Sequence, residues 1–331
     1  MVQESPQTDC HGAAIVARLT RTLTLVVAPL VVLCYAAVYF HDVTFLWQCT
    51  TLAEAVLPAP RHGCPALLGG GDVQTTNNGL GPKVGLLMVY NPGYGAPDET
   101  LVHRLIKNRQ NYCIRHNCTV ISTPQPSQPL TSSGVSRGPA WGKLIAMREQ
   151  LETGQYDYML YVDMDMVIMN PEISPVSIIN QAPPGQDFVV TSDWSGINTG
   201  IIFARNTNFT TSFLKLAYAQ EQLVPPYASN GERHLFRYEQ RAFHYLLNTP
   251  VWAEQGLPLY PGNYTELRRH FTSLPQCSMN SYALHPLDMK ATRSQSQYVK
   301  SDFIVHMAGK NQELKGDFMR YYLSLAEEGY L

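Results

Sequence analysis

Apolar residues fall along this chain in three kinds of run. The first is Thr22–Phe40, 19 consecutive residues without a charge. That approaches the ~20 residues an α-helix needs to cross a bilayer. The second kind is short and dense: Lys83–Tyr90 (KVGLLMVY), Thr119–Ser122, Tyr158–Val162, Phe188–Thr191, Gly200–Arg205 and Phe303–His306. Such runs read as buried strands. The third kind recurs at helical spacing, as in Glu99–His116 with Leu101, Leu105, Ile106, Tyr112 and Cys113. Trp141–Glu152, Phe209–Gln220 and Tyr238–Leu247 are further helices. Strand and helix alternate, which predicts an α/β, Rossmann-like fold with a mostly parallel sheet. In such sheets ligands bind beyond the carboxyl ends of the strands.

Polar stretches separate these runs. Leu57–Pro82 is rich in Pro, Gly, Asn and Thr and predicts a flexible stem over 41–82. Thr123–Pro139 is a Pro/Ser/Gly loop, long enough to carry function.

Charge sets the topology. Arg18 and Arg21 precede the first apolar run and Asp42 follows it. By the positive-inside rule, residues 1–21 are a cytosolic tail, 22–40 a type II anchor, and the rest luminal. A cleaved signal peptide is the competing reading. Its apolar region spans ~7–15 residues, shorter than this one, and no small-residue cleavage site closes the run. A catalytic domain over 83–331 in the lumen of the Golgi or ER is the expectation. Three sequons, at Asn117, Asn208 and Asn263, all follow the anchor and predict N-glycosylation. Five of the seven cysteines also follow it, where disulfides persist. Cys113–Cys118 and Cys49–Cys64 are candidate pairs. Net charge is −2 and the pI about 6.5, so there is no basic footprint for nucleic acid.

The chemistry centres on Tyr156–Pro171, YDYMLYVDMDMVIMNP. Asp163 and Asp165 follow an apolar strand, one residue apart. In extended backbone, residues i and i+2 point to the same side. Both carboxylates then aim at one point, where they repel unless a cation lies between them. Mn²⁺ or Mg²⁺ suits such a pair, leaving positions open for substrate phosphates. The bland alternative is two solvated loop acids. Against it, the flanking Val162, Met164, Met166 and Val167 read as buried.

Six ordered segments carry a resemblance: IKNRQNYCIRHN (106–117), WGKLIAMREQL (141–151), YDYMLYVDMDMVIMN (156–170), SGINTGIIFARN (195–206), YEQRAFHYLL (238–247) and FIVHMAGK (303–310). Together they resemble the GMA12/MNN10 family (glycosyltransferase family 34). It includes yeast α-galactosyltransferases and α-mannosyltransferase subunits and plant xyloglucan xylosyltransferases. The resemblance implies a GT-A fold and transfer of a hexosyl or pentosyl unit with retention of configuration. It also implies that Asp163, Asp165 and His306 hold Mn²⁺ (or Mg²⁺) and the donor diphosphate. Lys143, Asn198, Thr199, Gly200, Gly309 and Lys310 are implied to line the nucleotide-sugar site. Glu239 and Gln240 stand where the family has Asp-Gln, near the reacting carbon. The expected partners are a UDP- or GDP-sugar, a glycan acceptor, the membrane, and further copies of this chain or other glycosyltransferases. Trp141 and Trp194 read as packing residues unless they face the cleft. Retention proceeds through a carboxylate nucleophile or through same-face attack, and Glu239 is the one acid available for the first route. Two rival readings remain: a non-catalytic sugar-binding subunit, and a haloacid-dehalogenase-type phosphatase with Asp163 as nucleophile.

Overall fold

A computed structural model describes residues 81–92, 95–96, 98–224, 238–283, 297–309 and 312–329, all within one compact unit. The expected anchor (22–40), the stem up to residue 80, and Lys310 lie outside the described residues. Among the described residues no helix is long and apolar enough to cross a membrane.

The sheet is built on β1 (Val84–Pro92). On one side β1 pairs in parallel with β3 (Thr119–Pro124), and at its end with the short β2 (Gly95–Ala96). On the other side it pairs in parallel with β4 (Tyr158–Val162). Beyond β4 come β7 (Gly196–Arg205), β6 (Phe188–Asp193) and β8 (Phe271–Leu274). β7 runs antiparallel to both of its neighbours, and β6–β8 is parallel again. The expected α/β fold with a mostly parallel sheet is therefore present.

Alternation along β4 shows why helices cover both faces. Met159 and Tyr161 join one apolar cluster, with Leu144 and Met147 of α2 (Gly142–Glu152) and Phe213 of a later helix, Asn208–Tyr218. Leu160 and Val162 join the opposite cluster, with Tyr112 and Cys113 of α1 (Glu99–His116). A one-residue slip of β4 would exchange these faces, so its register is strongly specified. Asp98 caps α1, accepting from Leu101 N at 2.7 Å, and Asn117 ends it in the left-handed region at φ 51°. The disulfide Cys113–Cys118 closes that same end. Asn117, Asn208 and Asn263 are all exposed.

Two expectations need correction. Asp163 and Asp165 do not lie in extended backbone, because the chain turns at Met164–Asp165. It resumes as β5 (Met166–Ile168), which belongs to a second, three-stranded sheet with β9 (Ser281–Tyr282) and β10 (Ile304–His306). The helix expected to begin at Tyr238 starts at Gln240, because Tyr238 takes a positive φ of 62° that no helix admits. A helix over Gln312–Glu327, absent from the sequence-based expectations, packs back against α1.

Candidate active site

The site is built from the turn between β4 and β5. Asp163 N donates to Gly200 O at 2.7 Å, continuing the β4–β7 ladder by one step. Arg109, fully buried on α1, then brackets the turn. Its Nη2 donates to Asp163 O and Met166 O, both at 3.0 Å, while Nη1 donates to Leu105 O. Burial lowers the guanidinium pKa to about 10, against the pull of Tyr161, Asp165 and Asp163. It stays charged at neutral pH and places a fixed positive group under the two acids. Asn108, its neighbour, exchanges two hydrogen bonds with the Ile168 backbone and holds β5.

His306 reaches the turn because β10 pairs antiparallel with β5, setting His306 opposite Met166. Met307 N donates to Asp165 O at 3.0 Å. The imidazole Nδ1 lies 2.8 Å from Asn280 Oδ1, and Asn280 Nδ2 donates to Thr191 Oγ1. An amide oxygen accepts, so Nδ1 carries the hydrogen and Nε2 presents its lone pair toward Asp165 Oδ1, 3.4 Å away. This carbonyl–imidazole arrangement is the outer-shell hydrogen bond that orients metal-ligating histidines. Ligand atoms of Asp163, Asp165 and His306 all lie within 4.8 Å of one another. Gly200 makes the room. A Cβ there would stand 2.5 Å from His306 Cε1. Two carboxylates and one imidazole nitrogen in this cradle fit a hard divalent ion.

The surrounding charges are paired. Burial works to raise the Asp165 pKa, but Lys315, at 2.5 Å, outweighs it and holds the carboxyl well below its ordinary range. Asp163 Oδ1 accepts from Tyr161 OH at 2.7 Å and from Lys143 Nζ at 2.8 Å. Lys143 also meets Glu239 Oε1 at 2.8 Å and donates to Thr199 O at 3.1 Å. An ammonium has three protons, and these three acceptors use them. Burial disfavours its charge, yet Asp163 and Glu239 prevail and raise its pKa. Lys143 is thus a buried pin between two acids rather than a hand held out to a diphosphate. Glu239 is buried as well. Burial raises its pKa, Lys143 pulling the other way. Its Oε1 accepts from Thr199 Oγ1 at 2.7 Å, and Gln240 Oε1 accepts from Thr199 N at 3.1 Å. Lys143, Thr199, Glu239 and Gln240 therefore form one network behind Asp163.

Asn198 turns the other way. Its Oδ1 accepts from Gly200 N, and its Nδ2 donates to Asp193 Oδ2 at 3.1 Å and Tyr282 Oη at 2.8 Å. Gly309 sits at φ +71°, and a Cβ there would meet nothing within 4 Å, so backbone conformation explains that glycine without crowding. The whole assembly opens into a cleft of about 650 Å³. Its wall carries Asp163, Asp165, His306, Lys143, Asn198, Glu239 and Lys315, with Asn91 and Gln125 on the β1/β3 side and Trp194 on the β6/β7 side.

Four contributors went unread in the sequence: Arg109, Asp193, Tyr282 and Lys315. Arg109 left a signal, since it interrupts the apolar stripe of α1 between Leu105 and Tyr112. Lys315 left none, because a lysine on an amphipathic helix ordinarily faces water.

The model of the galactosyl transferase GMA12/MNN10 family matches residues 81–182 and 175–315, which include every site residue named above. The chain is a glycosyltransferase. It belongs to the galactosyl transferase GMA12/MNN10 family. No curated protein sequence matches it. Among solved structures, it is similar to a glycosyltransferase involved in glycosylation of the major capsid of PBCV-1, with 16% identity over 72% of this chain and 100% of that one, at a TM-score of 0.48. Mouse xyloside xylosyltransferase 1 is similar at 10% identity over 69% and 98%, with a TM-score of 0.38. The galactosyltransferase LgtC, solved with donor and acceptor sugar analogs, is similar at 9% identity over 74% and 95%, with a TM-score of 0.35.

Proposed function

We propose that this chain is a type II membrane glycosyltransferase of the Golgi or ER lumen. It transfers a hexosyl or pentosyl unit from a nucleotide-diphosphate sugar to a glycan hydroxyl with retention of configuration. The observation that carries the reading is the trio Asp163, Asp165 and His306, converging within 4.8 Å on one wall of the cleft. When bound there, Mn²⁺ or Mg²⁺ would supply Lewis-acid relief for the charge gathering on the departing diphosphate.

The chain's own residues do the rest. Arg109 and Lys143 both fix Asp163 from behind, one through its backbone carbonyl and one through its carboxylate. Lys315 adds a positive charge at the cleft wall, suited to an anionic leaving group. Glu239 is a poor nucleophile here. Its Oε1 is occupied by Lys143 and Thr199. This favours same-face transfer: the bond from the anomeric carbon to the diphosphate oxygen breaks, a bond to the acceptor oxygen forms on the same face, and the acceptor proton passes to the diphosphate. Three exposed sequons and the apolar run at 22–40 support the luminal topology.

The test uses the full chain in detergent with Mn²⁺, offered UDP-galactose, UDP-xylose and GDP-mannose in turn. Metal-dependent consumption of one donor, lost in Asp165→Asn, is expected. Nucleotide-sugar binding without turnover would instead identify a non-catalytic subunit, and phosphate release from a phosphomonoester a phosphatase.

A further inference from the structure

Among the described residues, the exposed large hydrophobic side chains include only two that line the cleft, and both are aromatic: Trp194, 61% exposed, and Tyr238, 39% exposed. Trp194 sits at the tip of the hairpin joining β6 to β7, between Asp193 and Gly196. That tip is rigidly built. Asp193 Oδ1 accepts from Ser195 N at 2.7 Å and from Ser195 Oγ at 2.6 Å, and its Oδ2 accepts from Asn198 and Tyr282. Gly196 closes the turn at φ +97°, where a Cβ would lie 2.4 Å from His244 Cε1. The network spends five polar groups on holding a turn whose own side chain is an indole facing the cleft.

Sheet order says what that indole can meet. β1, β3 and β4 are parallel, and their carboxyl ends, with Asn91, Gln125 and Asp163, define the crevice where such sheets take their ligand. The hairpin stands at the same end of the sheet, on the far side of β4, across β7. A donor laid against β1, β3 and the acid pair leaves the hairpin side as the approach for the second substrate. A pyranose has one face rich in C–H groups, and a rigid, pre-positioned aromatic plane is the complement of that face.

We propose that Trp194 is the stacking platform for the pyranose ring of the acceptor, and that Asp193 is the positioning residue that holds it there. This rests on the functional reading above. The test again uses the full chain, with the donor it consumes and the methyl β-glycosides of galactose, glucose and xylose and methyl α-mannoside as acceptor probes. In Trp194→Ala we expect the acceptor KM to rise about tenfold or more while the donor KM moves less than twofold. Trp194→Phe should recover most of the loss and Trp194→Leu should not. Leu259→Ala, at a residue 56% exposed and outside the cleft wall, should change neither constant. An acceptor KM in Trp194→Ala within twofold of the parent overturns the proposal alone, as does full recovery by leucine. A parent chain that consumes no nucleotide sugar and binds none of the four glycosides overturns the functional reading and the proposal together. A circular-dichroism melt of each variant separates lost stacking from lost fold, and the phenylalanine variant keeps the test decisive if alanine unfolds the hairpin.

Discussion

Replacing Lys143 by methionine tests the central network most directly. The ammonium is 3% exposed and sits 2.8 Å from both Asp163 and Glu239. Asp163 is 28% exposed and keeps Tyr161 OH, so water and one hydrogen bond cushion its loss. Glu239 is 2% exposed, so it keeps the Thr199 hydroxyl but has no water to take the place of the ammonium. Breaking a buried pair from one side costs about 3–5 kcal/mol, mostly for the charge left behind. In a domain of this size each kcal/mol lowers Tm by about 2–4 °C, so Lys143→Met should melt about 6–20 °C below the parent at pH 7.5. The effect depends on pH in a defined direction. Glu239 already has a raised pKa, and losing its counter-charge raises it further. An acid raised in the folded state contributes fully below its unfolded value and loses that contribution as pH rises through its folded value. The deficit should therefore shrink toward pH 4.5 and grow toward neutrality. Adding Glu239→Gln removes the stranded charge, and the double variant should regain at least half of the lost stability at pH 7.5. Scanning calorimetry of the four proteins closes the cycle. A single variant melting within 2 °C of the parent, or a double variant no better than the single, would refute the pinning role.

Four further outcomes follow from the same geometry. His306→Ala should weaken Mn²⁺ binding by about tenfold or more, read by paramagnetic resonance of free Mn²⁺, and Asn280→Ala should produce a smaller loss in the same direction by freeing the ring. Gly200→Ala would place a methyl 2.5 Å from His306 Cε1, so Mn²⁺ affinity should fall and stability should drop by about 1–3 kcal/mol. Arg109→Met removes both hydrogen bonds that bracket the turn, and we expect about 3 kcal/mol or more of lost stability in urea titration. His244 is buried and neutral, and burial, opposed by the Ile197 carbonyl and Asp193, lowers its pKa to about 4. The unfolded chain then takes up the proton first, so about 3 kcal/mol should be lost between pH 6.5 and 4. His244→Gln should flatten that slope.

Much of the strand and helix order was legible because burial on both faces leaves plain apolar runs. Glu99–His116 and Tyr158–Val162 match their predicted bounds residue for residue. The acid pair was legible as a pair but not as a turn. Local sequence favours extension after Val162, and the force that bends it comes from Arg109, more than fifty residues upstream. Lys143 read as a ligand because its partners are distant in sequence: Thr199 lies in β7, and Glu239 stands at the start of the helix Gln240–Leu246. Trp194 stood open as packing or as a cleft residue, and only the hairpin geometry turns it to the cleft. The helix over Gln312–Glu327 was missed because its polar residues and Gly316 blur the apolar stripe that packs on α1.

The pairing of β5 with β10 has a consequence for when the protein becomes active. Both aspartates belong to the first half of the chain, yet the imidazole that joins them arrives on a strand near its end, stitched in by backbone hydrogen bonds to residues beside them. A ribosome-bound chain can finish its main sheet as far as β7 and still have no third ligand to offer. If the trio takes a cation as proposed, its capture would report that β10 has docked, which would make metal retention a stricter measure of correct maturation than secondary structure content.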